Sequence, residues 1–270
     1  IGFRYIFSIR KDIYFHQNEC FGKNKQRLVN AYDVAFSFAR LCSPKTKSPG
    51  YWIFRDNVVG AQAYYDGFGK GVEQNYPRGI TPLNDSTLVI ELTRAFPPFL
   101  SLLTMPYCWI IPHEGVEYYG DEFGSNPVGT GPFVLRKWVP EISINLWKND
   151  HYFKFDDKGR RLPYLDGVEI TFNRNLKSEF FNFEQGKLDA VTSLEHSIAD
   201  ELLDSNGVLK LEYSDWTLIS ADAQSIEYYG FQFDLSNQTA KNNPFSNSKK
   251  LRQALNYAID RQKIIKFLLK

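Results

Sequence analysis

Cysteine is scarce in this chain: Cys20, Cys42 and Cys108 are the only three among 270 residues. Odd in number and widely spaced, they form neither a CxxC pair nor a zinc pattern, and they cannot build a complete disulfide framework. Free buried or half-buried thiols, with at most one bridge, are expected. The four histidines, His16, His113, His151 and His196, share no short metal-ligand spacing, and His113-Glu114 lacks the second His of a HExxH helix. Neither sign of charge dominates, since 32 Lys and Arg stand against 31 Asp and Glu. That balance gives no electrostatic case for nucleic acid or for an anionic membrane surface. No run of ~18 apolar residues exists to span a bilayer. No signal peptide and no internal repeat are seen.

Enzymatic motifs are also missing. There is no GxSxG elbow for a nucleophilic serine. Gly129-Thr-Gly-Pro132 and Gly67-Phe-Gly-Lys-Gly71 lack the GxxxxGK[ST] spacing of a phosphate loop and read as turns. Asp156-Asp157 falls in a polar turn, where a solvated face is the expected role. No pair of carboxylates is nominated for acid–base work.

Aromatics, in contrast, are plentiful: 22 Phe, 16 Tyr and 5 Trp. Some must build cores, but Tyr and Trp in loops also grip ligands of mixed polarity. The length allows one large domain or two ordinary ones.

The order of elements reads as α/β with a strong β share. Tyr5 to Arg10 alternates as a strand that continues through Ile13 to His16. Asn30 caps a helix with Asp33 near its first-turn amides and Ala31, Val34, Ala35, Phe38 and Leu41 on one apolar face. Residues 42–50 are a loop, and 51–71 show no clean period. Thr87 to Leu92 is a strand after an Asn-Asp-Ser turn, and Phe96 to Leu103 opens with prolines into a short helix. After the NPVGTGP turn at 126–132 come strands at Phe133 to Arg136, Ile142 to Trp147 and Val168 to Phe172. Ser178 caps a helix that Gly186 ends, and Leu188 to Val191 returns as a strand. From Leu251 to Lys270 the apolar residues follow a 3.6-residue period, capped by Asn247 or Ser248. The chain starts inside a strand pattern and stops inside a helix pattern, so a fragment of a longer protein is expected.

Six of these segments resemble, in order, the motifs of the family 5 extracellular solute-binding proteins, the peptide receptors of bacterial ABC importers. The resemblance is carried by Tyr5 to His16, Val29 to Leu41, Ser86 to Leu92 with Pro97 to Leu103, and Asn126 to Phe133 with Trp138. Leu162 to Asp166 with Gly186 to Ala190, and Leu251 to Ile265, complete it. The turn after His16, Gln-Asn-Glu-Cys, departs from the family's Asp-Gly, and Gly230-Phe231-Gln232 replaces Gly-Phe-Asn.

The resemblance implies a fold of the type II periplasmic-binding-protein kind, as a partial first lobe plus a β-rich accessory domain. Residues 1–137 would form the accessory α+β domain and 138–270 the incomplete first lobe, with the opening strands of that lobe and the whole second lobe absent. It implies a non-enzymatic receptor; related receptors carry sugars, nickel or haem, and the scattered histidines disfavour nickel here, so no cofactor and no metal are expected. Its partners would be a peptide or small-molecule ligand and an ABC permease, in the periplasm or as an envelope lipoprotein anchored through lipid outside this chain.

Ligand contacts are expected from Tyr228, Tyr229, Phe231 and Gln232, where strand-like hydrogen bonding captures an extended peptide. Gly230 admits close backbone approach, and Gln232 both donates and accepts. A core strand burying Tyr229 and Phe231 on alternate faces is the plain alternative. Tyr51 and Trp52 lie where the accessory domain reaches the cleft, with ordinary packing as their alternative. An oligosaccharide ligand suits the same aromatic platforms. A carboxylate-dependent hydrolase and a ligand-sensing regulatory domain are the rivals from other classes.

Overall fold

The computed structural model describes residues 3–67, 75–204, 206–221, 226, 228–234, 236 and 238–265. Its contacts divide the chain into two units, 1–172 and 173–270.

In the first unit, strand β1 (Arg4–Ser8) pairs antiparallel with β3 (Thr87–Glu91), which also pairs with β2 (Ile80–Asn84). The sheet order is β1-β3-β2. Leu88, Val89 and Ile90 of the central strand are all buried, so this strand is covered on both faces. The Asn84 side chain accepts from the Ser86 amide at 3.0 Å and closes the hairpin.

Helix α1 (Ala31–Leu41) lies against β2 and β3. It begins as expected: Asn30 Oδ1 accepts from the amides of Tyr32 and Asp33, while Asp33 Oδ2 accepts from the Asn30 amide. This reciprocal box satisfies amides that the first turn leaves orphaned. Val34, Ala35, Phe38 and Leu41 enter the core with Ile53, Phe54 and Phe99. Phe54 meets Phe38 at 4.9 Å and Phe99 edge-on at 6.2 Å. Short helices α2 (Trp52–Arg55), α3 (Ala61–Gly67), α4 (Phe99–Leu102) and α5 (His113–Tyr119) surround it.

A second sheet follows as a meander of β4 (Phe133–Val139), β5 (Ser143–Lys148) and β6 (Gly167–Thr171), in that order and antiparallel. The sequence boundary at 137/138 falls inside β4.

The second unit holds α6 (Leu176–Glu184), α7 (His196–Leu202), α8 (Gln238–Asn242), α9 (Pro244–Asn247), α10 (Lys249–Ala258) and α11 (Arg261–Ile264). Its core is small: Phe180, Ile198 and Leu202, with Trp216 edge-on to Phe183 at 5.1 Å and stacked on Tyr213.

Several local expectations change. The strand through Ile13 to His16 is a single bridge, Tyr14 to Leu28. The prolines at 97 and 98 precede α4 rather than open it. Asn175, not Ser178, caps α6, because its side chain accepts from the Ser178 amide. Leu188 to Val191 is not a strand; among the described residues no neighbouring strand pairs with it. The final helix is interrupted at Ile259-Asp260, where the Asp260 side chain caps α11 through the Lys263 amide. An internal Asx cap of this kind competes with continuous helix. Ser248 is the cap of α10. Gly67 to Gly71 and the last five residues of the helix pattern reach beyond the described residues.

Candidate functional site

Residues 228–234 run irregularly through the second unit and are held by the elements after them. Phe231 stacks on Phe245 at 5.7 Å, with 21° between the rings. Ser246 Oγ donates to the Gln232 carbonyl at 2.6 Å. Arg252, in the first turn of α10, donates to the carbonyls of Phe245 and Ser246 and lies 4.7 Å from the Phe233 ring. Phe231, Phe233 and the Gln232 carbonyl are thereby anchored, while Tyr228 and Tyr229 stand 82% and 78% exposed. Tyr229 is therefore not buried on a strand face in this structure. Gln232 Oε1 accepts from the Asp234 amide at 3.0 Å, which orients its amide nitrogen as a donor.

Tyr228, Tyr229, Phe231 and Gln232 share this segment by their adjacency in the chain, whereas Tyr51 and Trp52 belong to the other unit. Tyr51 precedes α2 and stacks on Tyr65 at 4.6 Å, nearly parallel. Its hydroxyl reaches the Ala61 carbonyl and Gln62 at 3.4 Å, and burial pushes the phenol up to about 12. Packing is therefore part of its role, whereas Trp52 is half exposed.

Residues that sequence reasoning did not single out include Arg252, Phe245 and Ser246. No local pattern in the sequence marks them. Another such group is Arg27, which holds Asp33 and Glu114 together. Asp33, His113 and Glu114 place possible ligand atoms within 4.8 Å of one another. The guanidinium already supplies the positive charge there, so the cluster fits an ion-pair network better than a metal. Burial is the largest influence on Glu114 and raises its pKa, but the Arg27 hydrogen bonds and charge outweigh it and leave the carboxyl below its ordinary value.

All three cysteines are free, with Cys42 and Cys108 buried. Burial pushes Cys42 up to about 12 and Cys20 and Cys108 to about 11, so none is a thiolate nucleophile at neutral pH.

The NPVGTGP turn is gripped from both sides. His16 Nε2 lies 3.0 Å from the Gly131 carbonyl, to which Asn149 Nδ2 also donates at 2.9 Å. The backbone adds bonds from His16 to Gly129 and from Asn149 to Pro132. His16 is buried, and burial lowers its pKa against the opposing pull of the Gly131 bond.

The first unit thus carries an antiparallel sheet packed by α1 and a gripped glycine turn, and the second carries the anchored aromatic segment. The family model described as bacterial extracellular solute-binding proteins, family 5 Middle, matches residues 2–270. The chain belongs to family 5 of the bacterial extracellular solute-binding proteins. Its mixed helix-and-strand architecture resembles the type II periplasmic-binding-protein fold.

Among its relatives, the dipeptide-binding protein DppE of Bacillus subtilis is 26% identical over 90% of this chain and 40% of its own length. Heme-binding protein A of Haemophilus influenzae is also 26% identical, over 98% of this chain and 43% of its own. The periplasmic binding protein DppA of Helicobacter pylori, solved with the peptide STSA, superimposes with a TM-score of 0.60 at 26% identity. That match covers 74% of this chain and 37% of that one. The chain therefore spans about two-fifths of the length of these relatives. They are named as binding proteins rather than enzymes.

Proposed function

We propose that this chain is part of the substrate-binding component of an ABC importer. The whole receptor closes two lobes on an oligopeptide-like ligand and delivers it to the permease, outside the cytoplasm as a periplasmic protein or envelope lipoprotein. In this reading residues 1–137 act as the accessory domain and 138–270 as part of the first lobe. Support comes from the family match along 2–270 and, on the molecule itself, from the anchored segment at 228–234.

That segment has the chemistry a peptide needs. Among the described residues, Tyr228 to Phe233 make no backbone–backbone hydrogen bonds, leaving their backbone groups, apart from the Gln232 carbonyl that Ser246 holds, for a strand-like ligand. Gln232 offers amide donors, and the Tyr228 and Tyr229 rings offer faces that tolerate varied side chains. Trp52, in the other unit, is half exposed and is proposed as a ligand contact of its own. Exposed rings also stack on sugars, so an oligosaccharide is the second reading.

Thermal unfolding of the full-length gene product against a panel of peptides and oligosaccharides separates them. A ligand that binds only the native state raises the melting temperature, with ~2.7 kcal/mol of stabilisation at a hundred times its Kd. A rise with peptides is expected. A rise only with sugars replaces the ligand class, and turnover of a panel member overturns the receptor reading.

A further inference from the structure

Strand β4 carries one residue too many for its partner. Leu135 faces Leu146 and Lys137 faces Asn145 across β5, which leaves Arg136 outside the ladder. A bulge of this kind re-aims the side chain it carries. Here the Arg136 guanidinium comes to lie 4.5 Å from the Trp147 ring. Stacking holds the planar fork while leaving its N–H edge unused. Among the described residues, neither the Arg136 nor the Lys137 side chain donates to an acceptor or pairs with a carboxylate.

Both residues line a cavity of about 350 Å³, together with Ser125, Asn126 and Gln17, and no Asp or Glu borders it. A second cavity of about 470 Å³ also reaches Arg136 but includes Glu19 and Asp150. Arg136 borders both cavities, its guanidinium held by Trp147 of the larger one, while the smaller one adds an ammonium, a hydroxyl and side-chain amides and has no carboxylate in its lining.

The geometry points to an oxyanion-binding site in this cavity, with Arg136 as the forked donor, Lys137 as the second charge and Ser125 and Asn126 as neutral donors. Its ligand is a small solute bearing a carboxylate or phosphate group, whose two oxygens match the guanidinium fork. The site lies within the first unit and does not depend on the ligand proposed for residues 228–234.

The test is calorimetric titration and thermal unfolding of the full-length protein with inorganic phosphate and with succinate, each against chloride at matched ionic strength. Matching removes general screening of surface charge. Saturable binding of at least one oxyanion is expected, and the arm that binds identifies phosphate or carboxylate as the natural group. Arg136→Gln should weaken that binding at least about tenfold, Lys137→Gln by less, and Lys187→Gln in the other unit not at all. Peptide-induced stabilisation should persist in Arg136→Gln, so that loss of one site is distinguishable from loss of the other. Equal effects of phosphate, succinate and chloride, or unchanged binding in Arg136→Gln, overturn the assignment.

Discussion

Arg27 and Asp33 form a bidentate ion pair at the first turn of α1, with Nη1 donating to Oδ2 at 2.8 Å and Nη2 to Oδ1. The Asp33 side chain is fully buried, and it also accepts from the Asn30 amide. One carboxylate therefore serves as ion-pair partner and helix cap together.

Removing the cation strands that carboxylate. Arg27→Ala should lower stability by ~3 kcal/mol, the lower end of the range for breaking a buried pair, because Arg27 itself is partly exposed. Urea denaturation checks this. Asp33→Asn retains a capping oxygen and should cost less. A loss under ~1 kcal/mol for Arg27→Ala would show that water replaces the guanidinium freely.

His16 should make stability depend on pH. Its ordinary value is 6.5, and burial holds the folded-state value lower. Below 6.5 the unfolded chain therefore binds the extra proton first, and stability falls as pH drops towards the folded-state value; above 6.5 the contribution is fully present. His16→Gln retains a donor for Gly131 and removes the titration. The melting temperature of the wild type should drop more between pH 7 and pH 5 than that of the variant. Parallel profiles would exclude His16 as the source.

Gly79 has no room for a side chain. A Cβ there would meet the Glu91 carbonyl oxygen at 2.7 Å and the Val59 carbonyl oxygen and amide nitrogen at 2.8 and 2.9 Å. All three are backbone atoms, fixed by the bonds Gly79 exchanges with Val59 and Glu91. Gly79→Ala should cost ~1–3 kcal/mol through overpacking, read as a shift in the denaturation midpoint. An unchanged midpoint would mean that the Val59 loop moves aside.

Binding and stability should separate at the anchored segment. Tyr229→Ala and Gln232→Ala alter exposed side chains and should change the melting temperature of the unliganded receptor little. In the full-length protein each should weaken peptide binding about tenfold or more, as expected of contact residues. Phe231→Ala removes the stack on Phe245 and should weaken both. Unaltered affinity in all three variants would remove this segment from the ligand site.

Much of the local structure was legible because its causes are local. The Asn30 cap, the turn at Asn84, the alternation in β1 and the glycine turn at 126–132 act over a few residues. The misread places each depend on something farther away or in competition. Leu188 to Val191 has strand composition, but a strand needs a neighbour. The helix pattern from Leu251 runs past Asp260, whose side chain starts a second helix instead.

By itself, the sequence determined the family, the α/β class and the order of elements, through motifs and periodicities that neighbouring residues impose on one another. Only the tertiary structure decided that Arg27, paired with Asp33, also reaches Glu114, 87 positions further along the chain. It also decided that His16 grips Gly131, and that Phe245, Ser246 and Arg252 anchor the segment around Gln232. Ion pairs, ring stacks and bulges form between residues far apart in the chain, and their energies appear only when folding brings them together and removes water from between them.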